Sequence, residues 1–438
     1  MPAPVYRMMT LLSTLTTPLP LGTNLGLLHL LWMLVSGQLL MTRGAVIPGL
    51  SGCGLPRRAV QRAWAALGQG AWSSAPLLTQ WAQIVAAEGR WQARAHGGYQ
   101  PVAVDVTGCW RPRLQHCPTR HYQAQAGKAL PAIPLGLITR VGAVGTQRLG
   151  LPVALVRAAA DDPRPKTHAR VLVRAAVQQC RPHEALVLDA GFGVALLQEE
   201  GAPRYVVRVA KNSTFRRAQP PAYRGRGRPP TRGALVRPLA RSYQGRVRAA
   251  TPPDEVATWA DDGALVRAEV WRELILPTAT SGAPTLTVVA IHDPRYREPL
   301  LLATSLPTSV TAQQRRALYD DRGAVAQIPL AAKQMIGAAR PFVHAPETCQ
   351  RLPELALLAG AILSYAAATS PAIPTGFWDR RPQPTAGRLR RALARVPFPT
   401  DFPLSARMQV KKVRTDHLRT GFWGQRRGVP RTHEPHAA

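Results

Sequence analysis

Four positions between residues 319 and 333 share one narrow side of the helix that their segment predicts: Tyr319, Arg322, Ala326 and Lys333. At roughly 100° per residue they fall within an arc of about 60°, with Ala326 near its middle. A phenol and two cations around an alanine make sense where something acidic, or a polyanion with its metals, belongs between them. Two aspartates elsewhere stand in settings that suit such a site. Asp105 lies among valines in VAVDVT (102 to 107), and Asp189 follows the apolar run EALVL and precedes Ala-Gly-Phe-Gly. A carboxylate at either place is costly to bury unpaired. Two of them meeting at neighbouring strand ends would form a hard, oxygen-rich site suited to Mg²⁺ (or Mn²⁺). Paired metals at such a site activate a water or a 3′-hydroxyl and stabilise the leaving oxygen of a phosphodiester. Taken singly, each aspartate also reads as a satisfied capping residue; the helix stripe is what points to phosphoryl transfer.

The elements that must position these groups can be read coarsely. Residues 24 to about 98 are mainly helical: an apolar stretch from 24 to 41 capped by Thr23 or Asn24, a helix opened by Pro56-Arg57-Arg58, and a third from Ala75 through Val85. In the second, Val60, Ala63, Trp64 and Leu67 share an apolar side. This part reads as a small DNA-binding head or as a helical cap. From Pro101 the texture becomes β-rich, with runs at 102–107, 131–145 and 151–157, a helix at 167–180, a buried strand running into a tight turn at 184–193, and a second β-rich piece at 204–210. Strands, helix, strand give a mixed α/β core. Further β runs at 264–277 and 285–293 read as an antiparallel insertion, and 298–306 returns to buried-strand texture. A last apolar helix covers 355–368. The domain boundaries that follow are 1–98, 99–215, 216–297, 298–370 and a basic, partly disordered tail at 371–438. No internal repeat stands out.

The chain has 438 residues, 56 Lys and Arg against 24 Asp and Glu, and a formal charge of +32. Six lysines against fifty arginines reflect a GC-rich coding bias, but that bias does not remove acids. The charge favours a polyanionic partner, DNA or RNA. Between 201 and 253 there are thirteen basic residues and no acid. Within it Arg224-Gly225-Arg226-Gly227-Arg228-Pro229-Pro230 is similar to an AT-hook, an extended minor-groove element, and reads equally as a basic loop. Five cysteines without a CxxC pair fit no zinc finger and suit a reducing cytoplasm. The 24–41 stretch is barely long enough to cross a bilayer and reads as a buried helix, with no membrane partner.

The spacing Tyr, two residues, Arg, three residues, acid, six residues, Lys resembles the YREK tetrad of DDE transposases from bacterial insertion sequences. DVTGCWRP (105 to 112) resembles the first-aspartate motif of that family and LVLDAGFG (186 to 193) the second; the likeness spans about residues 24 to 370. It implies a ribonuclease H-like core with Asp105 on the first strand and Asp189 after the fourth, both holding Mg²⁺. It also implies that Tyr319, Arg322 and Lys333 hold the phosphates of the DNA ends. Trp110 reads as a base-stacking residue or as a core aromatic. A transposase of this kind, located in the bacterial cytoplasm on the nucleoid, binds terminal inverted repeats as a homodimer and joins freed 3′ ends to target DNA. The chain departs from the family where it has Ala326 instead of the third acid, Gly323 where a Trp often follows the Arg, and Pro329 within the helix. Asp320, Asp321, Glu347 and Glu354 are badly placed to substitute, so the expectation is DNA binding with impaired cutting. The alternative is a non-catalytic DNA-binding protein that occupies transposon ends. A general RNA-binding protein would leave the aspartates and the helix stripe unexplained.

Overall fold

Four longer helices open the chain: α1 (Ala3–Thr16), α2 (Thr23–Val35), α3 (Arg57–Gln69) and α4 (Ser74–Glu88). The structure is a computed structural model that describes residues 1–410 except 112–113, 115–116, 118, 160–161, 163, 224, 226–231, 280–281, 340 and 395. The strands of the core follow: β1 (Gln100–Trp110), β2 (Lys128–Val144) and β3 (Gln147–Arg157), then helix α5 (Pro165–Gln179), β4 (Glu184–Leu188) and β5 (Tyr205–Arg208). Beyond them come β6 (Glu255–Asp261), β7 (Ala264–Ile275), β8 (Leu286–His292) and β9 (Leu300–Thr304). Helices α6 (Ala312–Asp320), α7 (Gly323–Leu330), α8 (Pro346–Ala368) and α9 (Ala386–Leu393) complete the frame.

The core strands lie in the order β3-β2-β1-β4-β5. β2 is antiparallel to both β1 and β3, whereas β4 is parallel to β1 and β5 to β4. This is a ribonuclease H-like core. The basic segment does not stand apart from it. β9 pairs antiparallel with β5, β8 with β9 and β7 with β8, so its strands prolong the same sheet. The free edge that β5 would otherwise present is thereby covered.

Alternation decides which face each residue serves. Val102, Val104, Leu186 and Leu188 pack against Leu172, Val173 and Ala176 of α5. On the opposite face, Ala103, Leu135 and Leu137 meet α7 and α8, and Ala185, Val187 and Val206 meet Leu318 and Tyr319 of α6. Gly136 lets α5 lie close to β2, since an added Cβ would come within 2.7 Å of Leu172.

The N-terminal helices share one hydrophobic core with α8 and α9. α2 is buried along nearly its whole length and stops at Ser36 and Gly37; a separate short helix, Gln38–Met41, follows with Leu40 and Met41 exposed, so the 24–41 stretch is a core helix only as far as Val35. The N-cap of α2 is Gly22 with no side-chain cap, in place of the expected Thr23 or Asn24. Trp64 is exposed rather than on the apolar side of α3 with Val60, Ala63 and Leu67. α8 is the one described helix long and apolar enough to cross a membrane, and 83% of its most apolar window is buried inside the protein. The start of the tail is folded: α9 buries Leu389 and Leu393. Residues 411–438 lie outside the described residues, as do Arg224, Arg226 and Arg228 of the AT-hook-like run.

Candidate active site

Register brings the two aspartates together. In the parallel pairing of β1 with β4, Val104 stands opposite Leu188, the last matched pair. One residue further on in each chain segment come Asp105 and Asp189. Both follow the alternation of Ala103 and Val187, so both face the side covered by α6 and α7. Strands lie about 4.8 Å apart, and adjacent carboxylates on one face are the direct consequence. Backbone N–H groups steady each: Val106 donates to Asp105 Oδ1 at 2.9 Å and Ala190 to Asp189 Oδ1 at 2.8 Å.

The helical segment supplies the cations. α6 starts with a reciprocal cap, Thr311 Oγ1 accepting from the Gln314 N–H and the Gln314 side chain from the Thr311 N–H. At its end the Tyr319 hydroxyl donates to Asp189 Oδ1 at 3.3 Å. Arg322 reaches both carboxylates, 3.9 Å from Asp105 Oδ2 and 3.7 Å from Asp189 Oδ2. Lys333 Nζ donates to Thr107 Oγ1 at 2.7 Å and lies 4.5 Å from the centre of the Trp110 ring. Trp110 is half-buried, with His121 against its other surroundings at 6.2 Å, so it is engaged within the protein.

The expected single helix is interrupted. A turn at Asp321 and Arg322 separates α6 from α7, and a wide π-helical turn, Ala331–Ile336, carries Lys333. Pro329 has no N–H to offer the preceding turn, which loosens the ladder just before the wide turn. Ala326 is exposed on α7, four residues after Arg322 and seven before Lys333. The two cations that flank it in sequence both reach β1 or its neighbour.

Charge is expensive in this cleft. Burial pushes the Asp105 carboxyl above its ordinary range; the Val106 N–H and Arg322 pull it down, and Asp189 raises it again. Burial lowers the Lys333 ammonium, against the pull of Asp105. The Tyr319 hydroxyl is raised by burial and then by the Asp189 charge. Two carboxylates with a shared field of cations form a donor set that fits a divalent metal, which commonly takes one or two carboxylates and keeps its waters. Among the described residues no cluster of three metal-binding side chains exists.

The four acids nearest in sequence are all committed elsewhere. Asp321 is wholly buried against Arg94, His96 and Arg148. Asp320 pairs with Arg316, and Glu347 and Glu354 both pair with Arg157. Two contributors were missed in the sequence. Arg208, at the end of β5 on the same face as Val206, lies 4.0 Å from Asp189 Oδ1. Thr107, two residues beyond Asp105, holds Lys333. A polar residue two positions from a strand aspartate, and an arginine ending an apolar strand, were the available signals.

Comparison with known proteins gives one family. The family model described as DDE superfamily endonuclease matches residues 29–276, more than half of the chain. The matched region contains both aspartates and ends before α6. No curated protein matches the chain. Two aspartates on adjacent strands of a ribonuclease H-like sheet agree with that match, and the chain belongs to the DDE superfamily endonucleases.

Proposed function

We propose that this chain is a transposase that binds the terminal inverted repeats of its own element as a homodimer, and that its strand cleavage is impaired at Ala326. The observation that carries the reading is the meeting of Asp105, Asp189, Tyr319 and Arg322 at one place, with Lys333 of the following wide turn bonded to Thr107 of the Asp105 strand. Asp105 and Asp189 would hold Mg²⁺ or Mn²⁺, which supplies a more acidic water or hydroxyl and charge stabilisation at the leaving oxygen. Arg322 suits a phosphate as a two-pronged donor, and Lys333 suits it as a point charge. Tyr319 donates a hydrogen bond to Asp189 and would fix that carboxylate in orientation. Ala326 would stand at the third corner, where it offers no oxygen, and Asp320, Asp321, Glu347 and Glu354 are each tied up with arginine.

The test is cleavage of the DNA that flanks the reading frame, with Mg²⁺ or Mn²⁺, by the native chain and by Ala326→Glu. The position is exposed, so the longer side chain has room. Glutamate is expected to raise cleavage by about 10²-fold or more, with Asp105→Asn in the same background inactive. Equal, strong cleavage by the native chain and the glutamate variant would remove the missing-acid argument. A second reading, a non-catalytic DNA-binding protein, draws on the Arg322 guanidinium reaching both carboxylates at once. It expects no cutting by either chain, and DNA binding indifferent to Asp105→Ala.

A further inference from the structure

Away from the aspartates, the 375–381 loop between α8 and α9 holds two aromatic rings out in solvent. Phe377 is 95% exposed and Trp378 67%, with ring centroids 5.1 Å apart in an edge-on arrangement. Phe377 is the most exposed large apolar side chain among the described residues, and the neighbouring Trp378 makes the pair a contiguous apolar spot of the kind that marks a binding surface. The loop that carries them is built rather than slack. Asp379 Oδ2 accepts from the Thr375 N–H at 3.0 Å and from its hydroxyl at 3.1 Å, and pairs with Arg388 of α9 at 2.6 Å. The Trp378 ring lies back over Gly376, its outer edge 2.4 Å from where a Cβ would stand. Arg380 and Arg381 follow, both exposed, while the one acid of the loop is already tied.

A second observation is independent of these contacts. The tetrapeptide Thr375-Gly376-Phe377-Trp378 recurs as Thr420-Gly421-Phe422-Trp423, again with a pair of arginines close behind, Arg426-Arg427. The chain has only seven phenylalanines and ten tryptophans, so the recurrence of both in one four-residue order is not a product of composition. It is a short repeat in a stretch otherwise read as having none.

We propose that the 375–381 loop is a stacking site for unpaired bases of a single DNA strand. Phe377 and Trp378 would supply the ring faces, and Arg380 and Arg381 the contact to the adjoining phosphates. Stacking on an aromatic is tolerant of sequence and needs a base free of its duplex, whereas arginine contacts alone serve both forms. The loop uses neither a metal nor a third acid, so its test is read independently of whether the chain cuts DNA.

The experiment measures anisotropy of labelled oligothymidylate and of a duplex of the same length, at matched salt, with the full chain. The double variant F377A/W378A is expected to bind oligothymidylate about tenfold or more weakly while duplex binding is unchanged. Trp378→Phe keeps a ring and should retain most of the single-strand affinity. R380A/R381A should weaken both forms and flatten the salt dependence. Because all four side chains are exposed, thermal melting should stay at the native value. Unchanged oligothymidylate binding by F377A/W378A, or an equal loss on duplex, overturns the proposal. So does a loss of self-association in sedimentation without a change on DNA, which would assign the rings to a second copy of the chain.

Discussion

Asp105 is held where its charge is disfavoured, and that has consequences at the level of the single carboxyl. Burial raises it above the ordinary value despite Arg322 and Lys333 nearby. An acid raised on folding binds its proton more tightly in the folded chain, so its ionisation subtracts stability as pH climbs through the raised value. Removing the charge should therefore not harm the fold. Asp105→Asn is expected to melt at or slightly above the native temperature without metal. The same change should abolish any rise in melting temperature caused by Mn²⁺, because one of two carboxylates is gone. In the native chain that Mn²⁺-dependent rise should fade on acidification at a pH above the ordinary carboxylate range, where protons begin to compete for Asp105. Thermal-shift titrations over pH check both statements, and an identical Mn²⁺ response in the asparagine variant would refute them.

At the scale of elements, Tyr319 and Arg322 stand on either side of the break between α6 and α7, and Asp321 is the clamp on that break. It is wholly buried, and Arg94, His96 and Arg148 bond to it at 2.9–3.0 Å. Burial pushes its carboxyl up, but the bonds from His96 and Arg94 more than offset this and leave it below the ordinary range. Asp321→Asn should cost about 2–3 kcal/mol, less than for a fully enclosed pair because Arg94 and Arg148 reach solvent. A depressed acid gives its stability above its unfolded pKa, about 3.9, and loses it as pH falls through the lower folded value. The difference between native and variant chains, read from denaturant melts, should thus be full at neutral pH and shrink below about pH 4. A difference that does not change with pH would show that the carboxylate charge is not what holds the turn. None of this was visible in the sequence, since the partners of Asp321 sit some 170 to 230 positions away in the chain and α6 and α7 read as one continuous helix. The strand aspartates were legible because alternation and an apolar run are local properties. The stripe of Tyr319, Arg322 and Lys333 survived the helix break only because residues 321 and 322 keep near-helical backbone angles. Trp64 was misplaced because helical spacing marks a side of a helix and does not fix how wide the covering neighbour is.

For the whole molecule, the deficit of acids sets what the surface can do. Most of the acids whose surroundings are described are drawn into pairs with arginine: Glu88 with Arg7, Glu184 with Arg140, Asp254 with Arg217, Asp293 with Arg295 and Arg316. The exposed pairs among them add little stability, and all of them cancel negative charge locally. The excess arginines are left to act on a polyanion, and the net charge of +32 measures that excess. Binding to duplex DNA should then be driven mainly by the release of counterions. A surface that meets six to ten phosphates loses about 10³–10⁵ in affinity between roughly 50 and 200 mM salt. That steepness is expected for duplexes of unrelated sequence and for Asp105→Ala alike, because neither base identity nor the carboxylates enter the term. The slope of log affinity against log salt, measured by anisotropy on two unrelated duplexes, checks it. A shallow slope, or one that differs strongly between the two duplexes, would mean that base contacts rather than the arginine surface carry the binding.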